Sequence, residues 1–282
     1  MAKIGLVIDT TTVLDEALIK KYQVEVVSLN VVYNGETMRE KDVSQEFMME
    51  HISEVKAFKT ASPNPNDFIE AYQRLFQKGF EEILVLPISK VLSGTLQIAQ
   101  LAKESMQEAE HIHIIDSNIC NYGNILLLET LLPMIDAGAP IEEVVQAAQE
   151  RAEQSKVCFT VLELRHLYHG GRLTLVEAFL GQILRIKPII EMIDGKLKLA
   201  QKVRTTQQIF QVFLNHIGNY VKKFSTVHVK IIHMNCADLY EKLKAVILEK
   251  FPKTLITEIH QLDPVFLVHL GKEGIGIAVT AY

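Results

Sequence analysis

The chain has 282 residues, enough for one large domain or two ordinary ones, and its hydrophobic fraction of 48% supplies a sizeable core. A net charge of −5 leaves no basic footprint for nucleic acid or an anionic membrane, and the absence of Trp, with 7% aromatic residues, makes that core mainly aliphatic. Cys120, Cys158 and Cys236 are an odd, widely spaced set without C-x-x-C, which suits buried thiols in a reducing cytosol better than disulfides or zinc.

The first apolar run, Ile4–Ile8, is too short for a signal peptide. The longest later one, Ile125 to Ile135, is interrupted by Glu129 and Pro133 and falls short of the roughly 18 to 20 apolar residues of a membrane span. A cytoplasmic protein without an integral membrane segment is expected. Ile4–Ile8 reads as a buried strand ending at Asp9-Thr10-Thr11-Thr12, with a helix starting near Asp15. Val24–Leu29 reads as a second strand that leads to a turn at Asn34-Gly35. The cluster Thr60-Ala61-Ser62-Pro63-Asn64-Pro65 predicts a break in regular structure, and Asp67 opens a helix through Gln77 closed by Gly79. Strand Ile83–Ile88, helix Leu96–Met106 and strand His111–Ile115 follow. Such alternation predicts a parallel α/β sheet with ligands at the carboxyl ends of its strands.

From about residue 160 the texture changes. Leu173 to Leu184 reads as a well-buried helix, and Ile186–Ile193 and Lys196–Ala200 flank Asp194-Gly195, a two-residue hairpin signal. Strand His228–His233, helix Ala237–Lys250, strand Leu255–Gln261 and a terminal strand around Gly276–Ala281 complete a mixed-sheet pattern. Two domains are expected: residues 1–159, an α/β/α unit with a small excursion near 24–58, and residues 160–282, a smaller α/β unit with a mixed sheet.

The segment from Ile83 through Ser93-Gly94-Thr95 to Ala102 is apolar strand, hydroxyl-rich turn and amphipathic helix in that order. A helix N-terminus offers unpaired N–H groups and partial positive charge to an anion; Gly94 lets a ligand approach the backbone, and Ser93 and Thr95 add hydroxyl donors. Ser93 alone equally suits a helix cap. Asp9-Thr10 and Asp116-Ser117 also follow strands, so these clusters either cap their turns or converge on one crevice. His269, before Gly271, is either an ordinary packed imidazole or a ligand group; His113, His169 and His233 match no metal spacing, and H-E-x-x-H is missing. Arg172, in Gly-Gly-Arg, and Arg204, in Lys-Val-Arg-Thr, suit a phosphate, a partner's carboxylate or plain surface charge. No G-x-x-x-x-G-K nucleotide loop, G-x-S-x-G nucleophile elbow or G-x-G-x-x-G fingerprint is present.

Taken in order, Asp9-Thr10, Thr60-Ala61-Ser62-Pro63, Ser89-Lys90-Val91-Leu92-Ser93-Gly94-Thr95, Asp116-Ser117, Gly170-Gly171-Arg172 with Ile186-Lys187-Pro188, and His269-Leu270-Gly271 resemble the DegV family over the full chain. The resemblance implies a two-domain, non-catalytic protein that needs no cofactor. A long-chain fatty acid such as palmitate, stearate or oleate then lies in a tunnel between the domains. It also implies that Thr60 and Ser93 hold the carboxylate with His269 nearby, and that Arg172 and Arg204 dock a separate ATP-dependent kinase. That kinase makes acyl phosphate for phospholipid synthesis. The chain departs from the family pattern at Thr10, where Ser is usual, and at Ala61-Ser62, where Ser62 supplies a hydroxyl in place of the usual Ser-Gln. It departs again at Lys272-Glu273, where Pro-Gly is usual. Burying ~15 methylenes at ~0.8 kcal/mol each gives roughly 12 kcal/mol of gross driving force, so modest head-group contacts suffice. The other function considered is an enzyme acting on a small phosphorylated or carbonyl substrate, with His269 as base or covalent residue; a compact polar pocket would mark it.

Overall fold

A computed structural model of the protein describes residues 3–120, 122–173, 186–259 and 263–281. The chain opens with β1 (Ile4–Asp9), α1 (Glu16–Tyr22) and β2 (Glu25–Val27). All six residues of β1 are buried, as a strand covered on both faces requires. Asp15 caps α1 by accepting from the Ala17 N–H. The hairpin β3 (Asn30–Tyr33) and β4 (Glu36–Arg39) turns at Asn34 and Gly35, both at positive φ.

After α2 (Gln45–His51), β5 (Phe58–Ala61) joins the free side of β3, giving a three-stranded antiparallel sheet ordered β4-β3-β5. The break expected at Thr60–Pro65 therefore starts later. Thr60 and Ala61 end β5, paired with Val31 and Asn30, because Pro63 constrains only itself and Ser62. The next helix, α3 (Pro65–Gln77), begins at Pro65 and not at Asp67: Asn64 is its cap, and Asp67 reaches back from the third helical position to close a capping box. Next come β6 (Glu82–Leu86), α4 (Thr95–Glu104) and β7 (Ile112–Ile114). They complete an all-parallel sheet ordered β2-β1-β6-β7.

The second half contains α5 (Tyr122–Asp136), α6 (Ile141–Glu153), β8 (Lys156–Val161), α7 (Leu164–Gly170), β9 (Lys187–Ile193) and β10 (Lys196–Val203). Then follow α8 (Thr206–Val221), β11 (Val227–Met234), α9 (Ala237–Lys250), β12 (Leu255–Ile259), α10 (Pro264–Leu270) and β13 (Gly274–Ala281). Their strands form a mixed sheet ordered β10-β9-β8-β13-β11-β12. The helix expected over Leu173 to Leu184 lies, beyond Leu173, outside the described residues. The apolar stretch Ile125 to Ile135 belongs to α5, which packs on β8, β11 and β13 and shares a core cluster with Leu84 and Leu86 of β6. A helix with protein on both sides is apolar all round, which accounts for its composition. Among the described residues no helix is long and apolar enough to cross a membrane. Asp194 and Gly195, both at positive φ, turn the β9–β10 hairpin, and the Gly195 carbonyl accepts a 3.2 Å hydrogen bond from Ser89 Oγ in the loop after β6. That contact carries the edge of the mixed sheet onto the carboxyl end of the parallel one.

Candidate functional site

A cavity of about 230 Å³ lies where the three sheets meet. Its polar wall is Thr60 and Ser62 at the end of β5, Ser93 before α4, Arg172 after α7 and His269 on α10. Ile88, Leu92, Leu197 of β10, and Val265, Phe266 and Leu270 of α10 supply much of the apolar wall. The chain builds this from local devices. The Leu86-to-Thr95 loop folds back on itself through Leu92 and Ser93 N–H bonds to the Ser89 carbonyl, which points Ser93 at the cavity beside the start of α4. Gly94 is the cap residue of α4, and a side chain there would meet Ser62 Oγ at 3.2 Å, so glycine allows the two serine loops to close. Ser62 Oγ and Ser93 Oγ are 3.3 Å apart, and Ser93 Oγ is 2.8 Å from the buried Thr95 Oγ1, a chain of hydroxyls leading into the helix terminus.

His269 Nε2 lies 2.9 Å from Thr60 Oγ1. Burial, followed by the Arg172 and His166 charges, pushes its pKa down to about 3, so the ring is neutral at ordinary pH. Its Nδ1 is buried without a hydrogen-bond partner among the described residues. Because an orphaned buried N–H is rarer than an orphaned acceptor, the network assigns the proton to Nε2. His269 then donates to Thr60, and the Thr60 hydroxyl proton is free to point into the cavity. Arg172 donates through Nε to the Leu92 carbonyl at 3.2 Å and through Nη1 to the Gly170 carbonyl at 2.6 Å, so it joins α7 to the Ser93 loop while its charge faces the cavity. Burial lowers its pKa. Together these groups offer neutral hydroxyl donors, a helix terminus and one fixed cation, a set matched to a single carboxylate or similar small anion.

Other expected residues take supporting positions outside the lining. Asp9 is fully buried and accepts from the Thr11 N–H at 2.9 Å and the Ile88 N–H at 2.7 Å, which holds the carboxyl end of β1 to that of β6. Burial above all raises its pKa to about 6. Thr10 Oγ1 donates to Glu40 and accepts from the Leu29 N–H at 3.0 Å. Ser117 is buried and donates to Asn124 Oδ1 on α5. Arg204 is exposed at the end of β10, away from the lining, where its backbone N–H bonds Gln208 Oε1 at 2.8 Å.

Sequence reasoning missed the residues that set α10. Asp263 caps it by accepting from the Phe266 N–H at 2.9 Å, and Glu40, from the segment after β4, accepts from the Val265 N–H at 2.7 Å. Both carboxyl groups are buried, and burial with the neighbouring Glu40 holds Asp263 well above the usual carboxylate range. The signal was present in Asp263-Pro264, a cap residue followed by proline at the first helical position. A second cavity, of about 40 Å³ and almost wholly apolar, is bounded by Cys120, Tyr122, Phe159, Met234 and Gly276 and shares Phe266 and Leu270 with the first. These two side chains stand between a polar-ended chamber and an apolar one.

The model of uncharacterised proteins of the DegV family matches residues 3–281. A DegV domain-containing protein of Clostridium acetobutylicum is 30% identical over 279 residues, covering 98% of this chain and 96% of its own. Among solved structures, a fatty-acid-binding DegV family protein from Thermus thermophilus superposes with a TM-score of 0.89 at 24% identity, covering 99% of this chain and 100% of its own. The Streptococcus pneumoniae Fatty Acid Kinase (Fak) B3 protein, loaded with linoleic acid, superposes with a TM-score of 0.84 at 23% identity over 99% of this chain and 100% of its own. With the family model spanning nearly every residue, the chain belongs to the DegV family.

Proposed function

We propose that the protein binds one long-chain fatty acid, with its carboxylate on Thr60, Ser62 and Ser93 beside Arg172 and His269. The tail runs past Phe266 and Leu270 toward Cys120 and Met234. The observation that carries this reading is the pairing of a polar-ended cavity with an apolar one across two shared side chains. The fatty-acid binding of the Thermus protein and the linoleic acid of the Streptococcus one support it. The acid lies between two domains, residues 1–159 and 160–282. The bound carboxylate is then presented to a separate ATP-dependent kinase in the cytoplasm, which converts it to acyl phosphate for phospholipid synthesis. Arg172, beside the carboxylate, and the exposed Arg204 dock that partner, and catalysis resides there.

Hydroxyl contacts suit this task because they hold a carboxylate more loosely than a bidentate ion pair would, and Arg172 already commits its Nε and Nη1 to the Leu92 and Gly170 carbonyls. The competing enzyme reading needs His269 as a base or covalent residue, yet a ring with its pKa near 3 is a poor proton acceptor and a weak nucleophile. Mass spectrometry of an organic extract of the denatured protein tests the proposal. A stoichiometric long-chain acid is expected; an empty extract, together with no rise in melting temperature on adding palmitate, stearate or oleate, refutes it.

A further inference from the structure

On the face of the mixed sheet turned away from the cavities, Cys158, Glu191 and His216 bring a thiol sulfur, a carboxylate oxygen and an imidazole nitrogen within 4.8 Å of one another. Cys158 of β8 and Glu191 of β9 are direct cross-strand partners, so both side chains leave the same face of the sheet. His216 reaches them from α8, its Nε2 3.0 Å from Glu191 Oε1, while Lys156 Nζ lies 2.8 Å from Glu191 Oε2. The three groups are too far apart in sequence for any spacing motif, which is why spacing spoke against zinc.

We propose that these three side chains form a site for a divalent transition metal of the zinc class. Zinc bonds of about 2.0–2.1 Å to nitrogen and oxygen and about 2.3 Å to sulfur set ligand–ligand separations of roughly 3.3–3.6 Å. The 3.0 Å His216–Glu191 pair is already close to that, and a shift of about an ångström brings in the thiol. The metal inserts between His216 Nε2 and Glu191 Oε1, His216 carrying its ring proton on Nδ1, and Cys158 binds as thiolate, its proton passing to solvent. Thiolate with imidazole selects zinc or cobalt over calcium or magnesium. Lys156 keeps Oε2, the outer partner that orients the carboxylate. His216, whose side chain is 21% exposed, gives the ion its way in.

The site bears on the apolar cavity without touching it. Val157 and Phe159, on either side of Cys158, line that cavity, so a metal that pins β8 to β9 stiffens its wall. The proposal is independent of what the cavity holds.

The test is titration of the metal-free, dialysed full chain with Co²⁺, then Zn²⁺. One equivalent of Co²⁺ is expected to bind with thiolate-to-cobalt charge-transfer absorption, which Zn²⁺ then abolishes. Cys158→Ser should remove that absorption, His216→Ala should weaken binding about tenfold or more, and Cys236→Ser should change neither. If Cys158→Ser fails to fold, His216→Ala decides, since its side chain is partly exposed. Absence of the charge-transfer band overturns the proposal. So does cobalt that binds equally to wild type and His216→Ala, which marks an adventitious ion only, as at the partly exposed His111–Glu82–His113 cluster.

Discussion

Gly170 ends α7 directly against His269. A Cβ built at this position would sit 2.2 Å from His269 Nδ1 and 3.0 Å from its Cε1. Gly170→Ala therefore cannot coexist with the present ring position, and the ring must swing away from Thr60. Alanine is the better helix residue by roughly 0.5–1 kcal/mol, so the backbone itself has no reason to resist. What is lost is the 2.9 Å Thr60–His269 hydrogen bond and, with it, the orientation of the Thr60 hydroxyl toward the cavity. A misaimed Thr60 hydroxyl forfeits a hydrogen bond to the charged carboxylate, about 1.5–3 kcal/mol, which corresponds to a roughly 10- to 150-fold weaker dissociation constant. The melting temperature of the unliganded protein should move much less than that affinity. Calorimetric titration of delipidated wild type and Gly170→Ala with stearate separates the two effects. Wild-type affinity in a folded variant would refute the claim that the His269–Thr60 pair orients the head group.

Ser93→Ala removes a cavity hydroxyl and should weaken stearate binding by about 0.5–1.5 kcal/mol, read by the same titration, with little change in far-ultraviolet circular dichroism. Phe266→Ala takes away a side chain shared by the two cavities and should shift competition binding toward longer acyl chains; an unchanged ratio between myristate and stearate contradicts the proposed tail path. Asp9 titrates near 6 in the fold against 3.8 in an unperturbed chain, so the folded state holds the extra proton between those values. Stability conferred by that difference, about 3 kcal/mol for this fully buried group, is present at low pH and lost as pH rises through about 6. Asp263, also raised, acts in the same direction, whereas His269, depressed to about 3, costs stability as pH falls below 6.5. The Asp9 effect is therefore read against Asp9→Asn, whose melting temperature should gain on wild type as pH rises from 5 to 8. Glu40→Gln relieves the buried acid pair, and its melting temperature should exceed wild type at pH 8 and vary less with pH; equal profiles would refute the coupling.

How much could be read beforehand depended on distance along the chain. The strand–turn–helix around Ser93 and the Asp194-Gly195 hairpin were legible because apolar period, turn chemistry and capping all lie within a few residues. Helix α10 was obscured by its seven-residue length, too short for a helical period to show, and by the glycine after it that drew attention to a turn. Thr60 in β5 was hidden because the prolines that follow resemble a longer break. The cavity itself joins Thr60 to His269 across 209 positions, and no local pattern encodes such a contact. Hydroxyl-rich strand ends marked the correct end of the parallel sheet, but they did not separate Ser93, in the lining, from Asp9, Thr10 and Ser117, which hold up the structure behind it.

The position of β13 has a consequence for synthesis. It follows every other described strand in the chain, yet it sits inside the mixed sheet, hydrogen-bonded to β8 on one side and β11 on the other. Helix α10, which walls both cavities, immediately precedes it. A chain emerging from the ribosome can pair β1, β2, β6 and β7 early, but β8 and β11 wait for residues 274–281 to fill the gap between them. Closure of both cavities thus waits for this strand and the helix before it, and on the proposed function a truncated chain lacks the walls that would hold the acid.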